Sequence, residues 1–301
     1  MPPADRRRRL RETFDAQVGR EWSRYSGEPR RVLVRVLRER FLRRHLKGVR
    51  GGLLEIGPGP GRFTPTILRS APGRVLSIDL SRRALLVARS RVGRDPRRSR
   101  VSWIHAAGER LPVRDGSADA VVLFGNIVCF AGRDGPRLLL EAARALRPGG
   151  RLVADFASPA AATQEFFDLM SRRRRLPGVL RRPGHFFVEQ VLDTGYQPFD
   201  PKRLATWEFQ FYTPENARRA LERAGFRLVD LMAAGAVSWN LGAVAASARR
   251  NPRTWENLLR IEERVGRRPG TLETGHGFLV AATRGPPRSP LRRTRPSVAS
   301  I

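Results

Sequence analysis

The 301-residue chain has a single cysteine, Cys129, so it can form neither an intramolecular disulfide nor a multi-cysteine zinc site. No metal site is expected, and a reducing compartment suits the lone thiol. Lysine is nearly missing too. Only Lys47 and Lys202 occur among 58 basic residues, set against 28 acidic ones, so the formal charge of +30 rests almost wholly on arginine. A surface built only to hold phosphate could use either residue, whereas a bias toward arginine codons explains the imbalance without function. A charge of this size still predicts salt-dependent, nonspecific adhesion to nucleic acid or anionic surfaces. Uninterrupted apolar runs are also absent. The best candidate, Leu231 to Ala248, is broken by Gly235, Ser238, Asn240 and Gly242 and falls short of a transmembrane segment. Arg6 to Arg9 are followed by no apolar stretch, which argues against a secretory signal. Together these absences predict a soluble, cytoplasmic protein.

What is present reads as a globular α/β chain. Hydrophobic residues make up 41% of it, with five Trp and fifteen Phe, enough to bury a core. Residues 10 to 48 place apolar side chains at helical spacing (Val32, Val36; Leu33, Leu37, Phe41), so residues 1–48 form a helical N-terminal extension. Strands are then expected at Leu53 to Ile56, Arg74 to Asp79, Val101 to Ala106, Ala120 to Phe124 and Arg151 to Phe156. Helices are expected at Arg62 to Arg69, Ser81 to Val92 and Pro136 to Leu146. That alternation predicts a doubly wound, mostly parallel sheet. The rhythm breaks over 158–212. This stretch reads as an insertion with a helix near Gln164 to Leu169 and strand-like pieces at His185 to Leu192 and Ala205 to Tyr212, folded over the site as a substrate cap. Thr213-Pro214-Glu215 opens a helix that stops at Gly225, and a strand follows at Phe226 to Leu231. A second insertion, 236–274, carries a helix at Arg253 to Val265. A final strand at Gly277 to Ala282 brings the sheet to seven and closes a domain over 49–284, and 285–301 reads as a disordered basic tail.

The first strand runs into Gly57-Pro58-Gly59-Pro60-Gly61, where closely spaced glycines let backbone N–H groups approach a nucleotide-like ligand. The dinucleotide fingerprint would place its third glycine at position 62, which is Arg62, and the Gly-Lys-Ser/Thr ending of a phosphate-binding loop is also missing. Asp79 ends the second strand, where a carboxylate can accept both ribose hydroxyls of an adenosine. Its alternative role, capping the next helix, can be taken by Ser81.

These pieces, with Gly108-Glu109-Arg110-Leu111-Pro112, Asp115-Gly116-Ser117-Ala118-Asp119, Gly125-Asn126 and Arg144 to Gly150, resemble class I S-adenosylmethionine-dependent methyltransferases. Within that class the chain is similar to the small-molecule, quinone-biosynthesis-like group known as methyltransferase type 11, over residues 50 to 157. The resemblance implies a Rossmann-like methyltransferase fold. It implies that Glu55 and Gly57, Gly59 and Gly61 surround the methionine part of S-adenosyl-L-methionine, that Asp79 binds ribose and that Leu80 packs on adenine. Ala107, Gly108 and Glu109 would edge the adenine ring, and Gly125 and Asn126 would lie beside the sulfonium. Ala107 departs from the family, which often has an acid there; backbone groups or Glu109 could replace that contact.

An activated sulfonium makes positioning the main requirement, and a general base is optional. His185 and Tyr212, in or beside the expected cap, are the candidate catalytic residues, and His105 lies near the cofactor edge. A small-molecule acceptor, lipid-like or quinone-like, is the leading expectation. An RNA or DNA methyltransferase is the alternative that the charge favours, but the Asn/Asp-Pro-Pro-Tyr/Phe tetrapeptide is absent, as is the Pro-Cys context of covalent cytosine enzymes around Cys129. A non-catalytic cofactor- or nucleic-acid-binding protein is the third reading.

Overall fold

Leu53–Ile56 forms β1, buried along its whole length, as a parallel strand covered by helices on both faces must be. In a computed structural model that describes residues 3–23, 25–174, 177–178, 181, 186–199 and 207–286, β1 pairs in parallel with β2 (Val75–Asp79) on one side and β4 (Ala118–Leu123) on the other. With β3 (Val101–His105), β5 (Leu146–Phe156), β8 (Phe226–Ala233) and β9 (Phe278–Arg284), the sheet has seven strands in the order β3-β2-β1-β4-β5-β9-β8. Only β9 is reversed, antiparallel to both β5 and β8. Strand order departs in opposite directions from β1 and β4, so the crevice beyond their carboxyl ends is a topological switch point, where open α/β sheets bind ligands.

Alternation along the strands feeds two cores. Leu54, Ile56 and Val121 face one side, where they meet Leu138 and Leu139 of α6 (Gly135–Ala145). Leu53, Val75 and Val122 face the other, against Leu33, Leu37 and Phe41 of α2 (Pro29–Leu46) and Ile67 of α3 (Thr64–Ser70). Beyond these, α1 (Pro3–Ser23) lies against α4 (Arg82–Val92), and α5 (Ile127–Phe130) is a single turn after β4.

The expected strands hold their places, and the main differences fall in the insertion. Helix α7 (Pro159–Arg172) is longer than expected at both ends. The piece read as a strand from His185 to Leu192 is a helix over its described part, α8 (Phe186–Thr194), which buries Val191 in the core. Adjacent aromatic and β-branched residues had favoured a strand. Of Ala205 to Tyr212, only Phe209–Gln210 pairs, as β7 with β6 (Tyr196–Gln197); residues 205 and 206 lie outside the described residues. The chain continues through α9 (Pro214–Arg223), capped by Thr213, then α10 (Gly242–Ala248) and α11 (Pro252–Val265). Of the expected tail 285–301, only residues 285 and 286 are described.

Candidate active site

The turn after β1 needs glycine for different reasons at different positions. Gly57, Gly59 and Gly61 have φ of +70°, +52° and +78°. A Cβ on Gly57 would collide with Ile127, and one on Gly61 would stand 3.0 Å from the Ala88 Cβ of α4. At Gly59 nothing lies within 4 Å, so only the left-handed backbone demands glycine, and its open side faces a cavity. The Gly57 amide donates to the Ile78 carbonyl at 2.7 Å and ties the turn to β2.

Asp79 and Glu55 divide the acidic work. The Asp79 carboxylate accepts from the Gly59 amide at 3.0 Å and the Ser81 amide at 2.8 Å, while Ser81 itself caps α4 by accepting from the Ala84 amide. A carboxylate has about four acceptor positions, so Asp79 keeps capacity for hydroxyls in the cavity it lines. Burial pushes its carboxyl up to about 6, against the pull of the two amides. Glu55 is buried behind the turn, with Oε2 accepting from Thr64 Oγ1 (2.8 Å) and Ser77 Oγ (2.7 Å). Burial, with a smaller contribution from the Asp79 charge, pushes its carboxyl up to about 7.

At the end of β4, Asn126 adopts a left-handed conformation (φ 60°, ψ 34°). The Gly125 and Asn126 amides both donate to Asp155 Oδ1, at 2.9 and 2.7 Å. Asp155 Oδ2 is 2.6 Å from Arg38 Nη2, with both side chains 1% exposed, and Arg38 Nη1 donates to Tyr25 Oη at 2.8 Å. A buried ion pair is tolerable only when its remaining groups are satisfied. Here the partners are the backbone of the β4 loop on one side and a cavity-lining tyrosine on the other.

The cavity runs over the ends of β1, β2 and β4. Gly57, Gly59, Asp79, Leu80, Gly108, Glu109 and Gly125 line it, and α1 forms its outer wall through Leu10, Phe14 and Val18. This helix is fastened along its length. Arg6 pairs with Asp134 at 2.8 Å, Phe14 meets Phe130 edge to face at 5.0 Å, Asp15 accepts from Ser81 Oγ, and Trp22 lies between the guanidiniums of Arg62 (4.3 Å) and Arg91 (4.1 Å). A smaller pocket opens beside Glu109 and Phe130, lined by Arg6, Arg7, Arg9, Phe199 and Trp207.

The remaining candidates stand off the cavity. Glu55, Gly61, Ala107 and Asn126 do not line it. Tyr212 is buried with its ring 5.2 Å from that of Phe156; it does not line the cavity, and burial raises its phenol, which favours keeping the proton. His185 lies outside the described residues. His105 is exposed, with Nε2 2.9 Å from the Leu80 carbonyl. Cys129 is buried and its thiol is pushed up by burial. No described residue of the expected cap lines the main cavity, and Phe209, Phe211 and Tyr212 belong to the core. The sequence reading missed Tyr25, Arg38, Asp155 and the inner face of α1. The spacing of Leu10, Phe14 and Val18 at four-residue intervals was a usable signal for that face.

A sheet of this order with one reversed strand, and a glycine turn and acidic strand end at its switch point, defines the fold of class I S-adenosylmethionine-dependent methyltransferases. Residues 54–154 match a family model described as a methyltransferase domain. The chain is 30% identical over 152 residues to a ubiquinone/menaquinone biosynthesis C-methyltransferase of Acidiphilium cryptum, covering 50% of this chain and 59% of that protein. It is 35% identical over 128 residues to a demethylmenaquinone methyltransferase of Tropheryma whipplei, covering 42% and 51%. The chain thus spans less than two thirds of the length of these curated relatives. Among solved structures, the 1,6-didemethyltoxoflavin-N1-methyltransferase of Burkholderia thailandensis superposes with a TM-score of 0.57 at 16% identity, covering 95% of this chain and 92% of that one. No helix among the described residues is long and apolar enough to cross a membrane.

Proposed function

We propose that the chain transfers the methyl group of S-adenosylmethionine to a small organic acceptor. The observation that carries this reading is Asp79, fastened by the Gly59 and Ser81 amides at the tip of β2 with acceptor capacity left in the cavity. A ribose with two adjacent hydroxyls suits that carboxylate, and an adenine suits the apolar slot of Ile78, Leu80, Ala106 and Leu138, edged by Gly108 and Glu109. Gly57 and Gly59 leave room for the remainder of the donor along the turn, and Gly125 stands across from them. Glu55, Gly61, Ala107 and Asn126 hold this wall in shape.

When bound, the donor supplies an already activated methyl group, so this chain's residues need mainly to orient the acceptor and keep water out. Phe14, Phe63, Phe124 and Tyr25 give the cavity an apolar, ring-lined character that fits a planar acceptor. The quinone-biosynthesis names of the relatives support the same class. An enolate- or phenolate-forming acceptor arrives partly deprotonated, so neither Tyr212 nor His185 is needed as a base. We place this activity in the cytoplasm, in a unit over 49–284 that the extension 1–48 completes.

Calorimetric titration with S-adenosylmethionine and with NADH tests the reading. Wild-type protein should bind the methyl donor and not NADH, and Asp79→Ala should weaken donor binding at least about tenfold, the loss expected when hydrogen bonds to a charged group are removed. Equal affinity of the mutant and wild type would refute the site.

A further inference from the structure

We propose that Arg62 binds the carboxylate at the amino-acid end of the methyl donor, an assignment that rests on the donor reading above. Arg62 follows the glycine turn directly and lines the same cavity as Asp79.

Helix α1 acts as a ruler for the cavity. Leu10 lies where Glu109 and Phe130 border the neighbouring pocket, Phe14 touches Phe130, Asp15 accepts from Ser81 two residues beyond Asp79, and Trp22 stacks on Arg62. At about 1.5 Å per residue, Leu10 and Trp22 are roughly 18 Å apart along the axis. The contacts therefore order the cavity. The apolar slot comes first, then the ribose carboxylate, then Arg62 with Tyr25, Phe63 and Phe124. A donor with its ribose on Asp79 and its adenine in the slot must point its amino-acid end at Arg62.

Neither guanidinium on Trp22, Arg62 or Arg91, forms an ion pair among the described residues, and of the two only Arg62 lines the cavity. Arg6, Arg30, Arg31, Arg38 and Arg40 each form an ion pair with a carboxylate. Among the described residues the Arg62 guanidinium makes one long hydrogen bond, 3.4 Å from Nη2 to Ser26 Oγ, and its buried Nε has no partner. Burial and the neighbouring Arg35 and Arg91 lower its affinity for a proton and outweigh the opposing pull of Tyr25 and Glu39, the reverse of what a bound anion would do. Cation–aromatic contacts with Trp22 at 4.3 Å and Tyr25 at 5.9 Å hold the guanidinium in place, so little side-chain freedom remains to be lost when an anion arrives. Glu21 of α1 lines the same cavity.

Binding of S-adenosylhomocysteine and of 5′-methylthioadenosine, which lacks the amino-acid group, separates this contact from adenosine recognition. Wild type should prefer S-adenosylhomocysteine. Arg62→Met, which keeps a chain to pack on Trp22, should weaken S-adenosylhomocysteine about 10- to 100-fold and leave methylthioadenosine unchanged, with Arg62→Lys in between. Unchanged S-adenosylhomocysteine affinity in Arg62→Met, or an equal loss for both ligands, overturns the assignment alone. Wild type that binds neither ligand overturns the donor reading and the assignment with it.

Discussion

Glu55 sits in a strand whose other members are Leu53, Leu54 and Ile56, and its carboxyl is pushed up to about 7 by burial. Between its ordinary range near 4.5 and that value, the folded chain holds a proton that the unfolded chain has lost. Stability attributable to this group therefore falls as pH rises through that window, and the full cost is carried above it. Glu55→Gln removes the charge and keeps an oxygen for Thr64 and Ser77. The variant should be more stable than wild type at pH 8 by about 1–3 kcal/mol, with the gain vanishing by pH 5, in urea denaturation at the two pH values. A loss of stability at pH 8 would mean that the site needs the anion. The turn and its two carboxylates were readable in the sequence because β1, the turn and β2 are one local unit. Tyr25, Arg38 and Asp155 were not, since Asp155 reaches Arg38 across the sheet from a distant strand and no local pattern records that meeting.

Among the elements, α1 shows how far periodicity carries. Its helical character followed from the spacing of its apolar residues, but its destination did not, because Leu10, Phe14 and Val18 look the same whether they complete a core or wall a cavity. The aromatics of the expected cap at 158–212 carry the same ambiguity: they are equally suited to a core, which is where Phe209, Phe211 and Tyr212 went. Trp22, with the guanidiniums of Arg62 and Arg91 over its ring, is the last of the contacts that fasten α1. Two such contacts are together worth about 1–2 kcal/mol. Trp22→Ala should therefore speed hydrogen exchange of the α1 amides while leaving those of β1, β4 and β5 unchanged; uniform acceleration throughout the sheet would show that the helix supports the whole fold instead.

For the molecule as a whole, the doubly wound, mostly parallel sheet followed from the alternation of strands and helices, whereas the strand order and the reversal of β9 are long-range pairings that no local pattern records. The charge of +30 acts at this scale as well. Many of the arginines near α1 and α2 are spent on ion pairs with Glu28, Asp134, Glu165, Asp168 and Glu256, so the outward field comes from those left over. Titration with a single-stranded RNA at about 50 and 200 mM salt should show affinity collapsing by an order of magnitude or more. Affinity that survives the higher salt would bring the RNA-methyltransferase reading forward.

Reversal of β9 also decides how the protein can be handled. Phe278 lies beside Phe156 at the cavity end of the sheet, whereas Arg284 lies beside Phe226, past Thr283 and its partner Arg151 at the opposite end. The described fold therefore ends on the far side from Asp79 and Arg62. A fluorophore or surface linker coupled just beyond Arg284 would be anchored at the floor of the molecule, leaving the mouth of the cavity turned toward the solution.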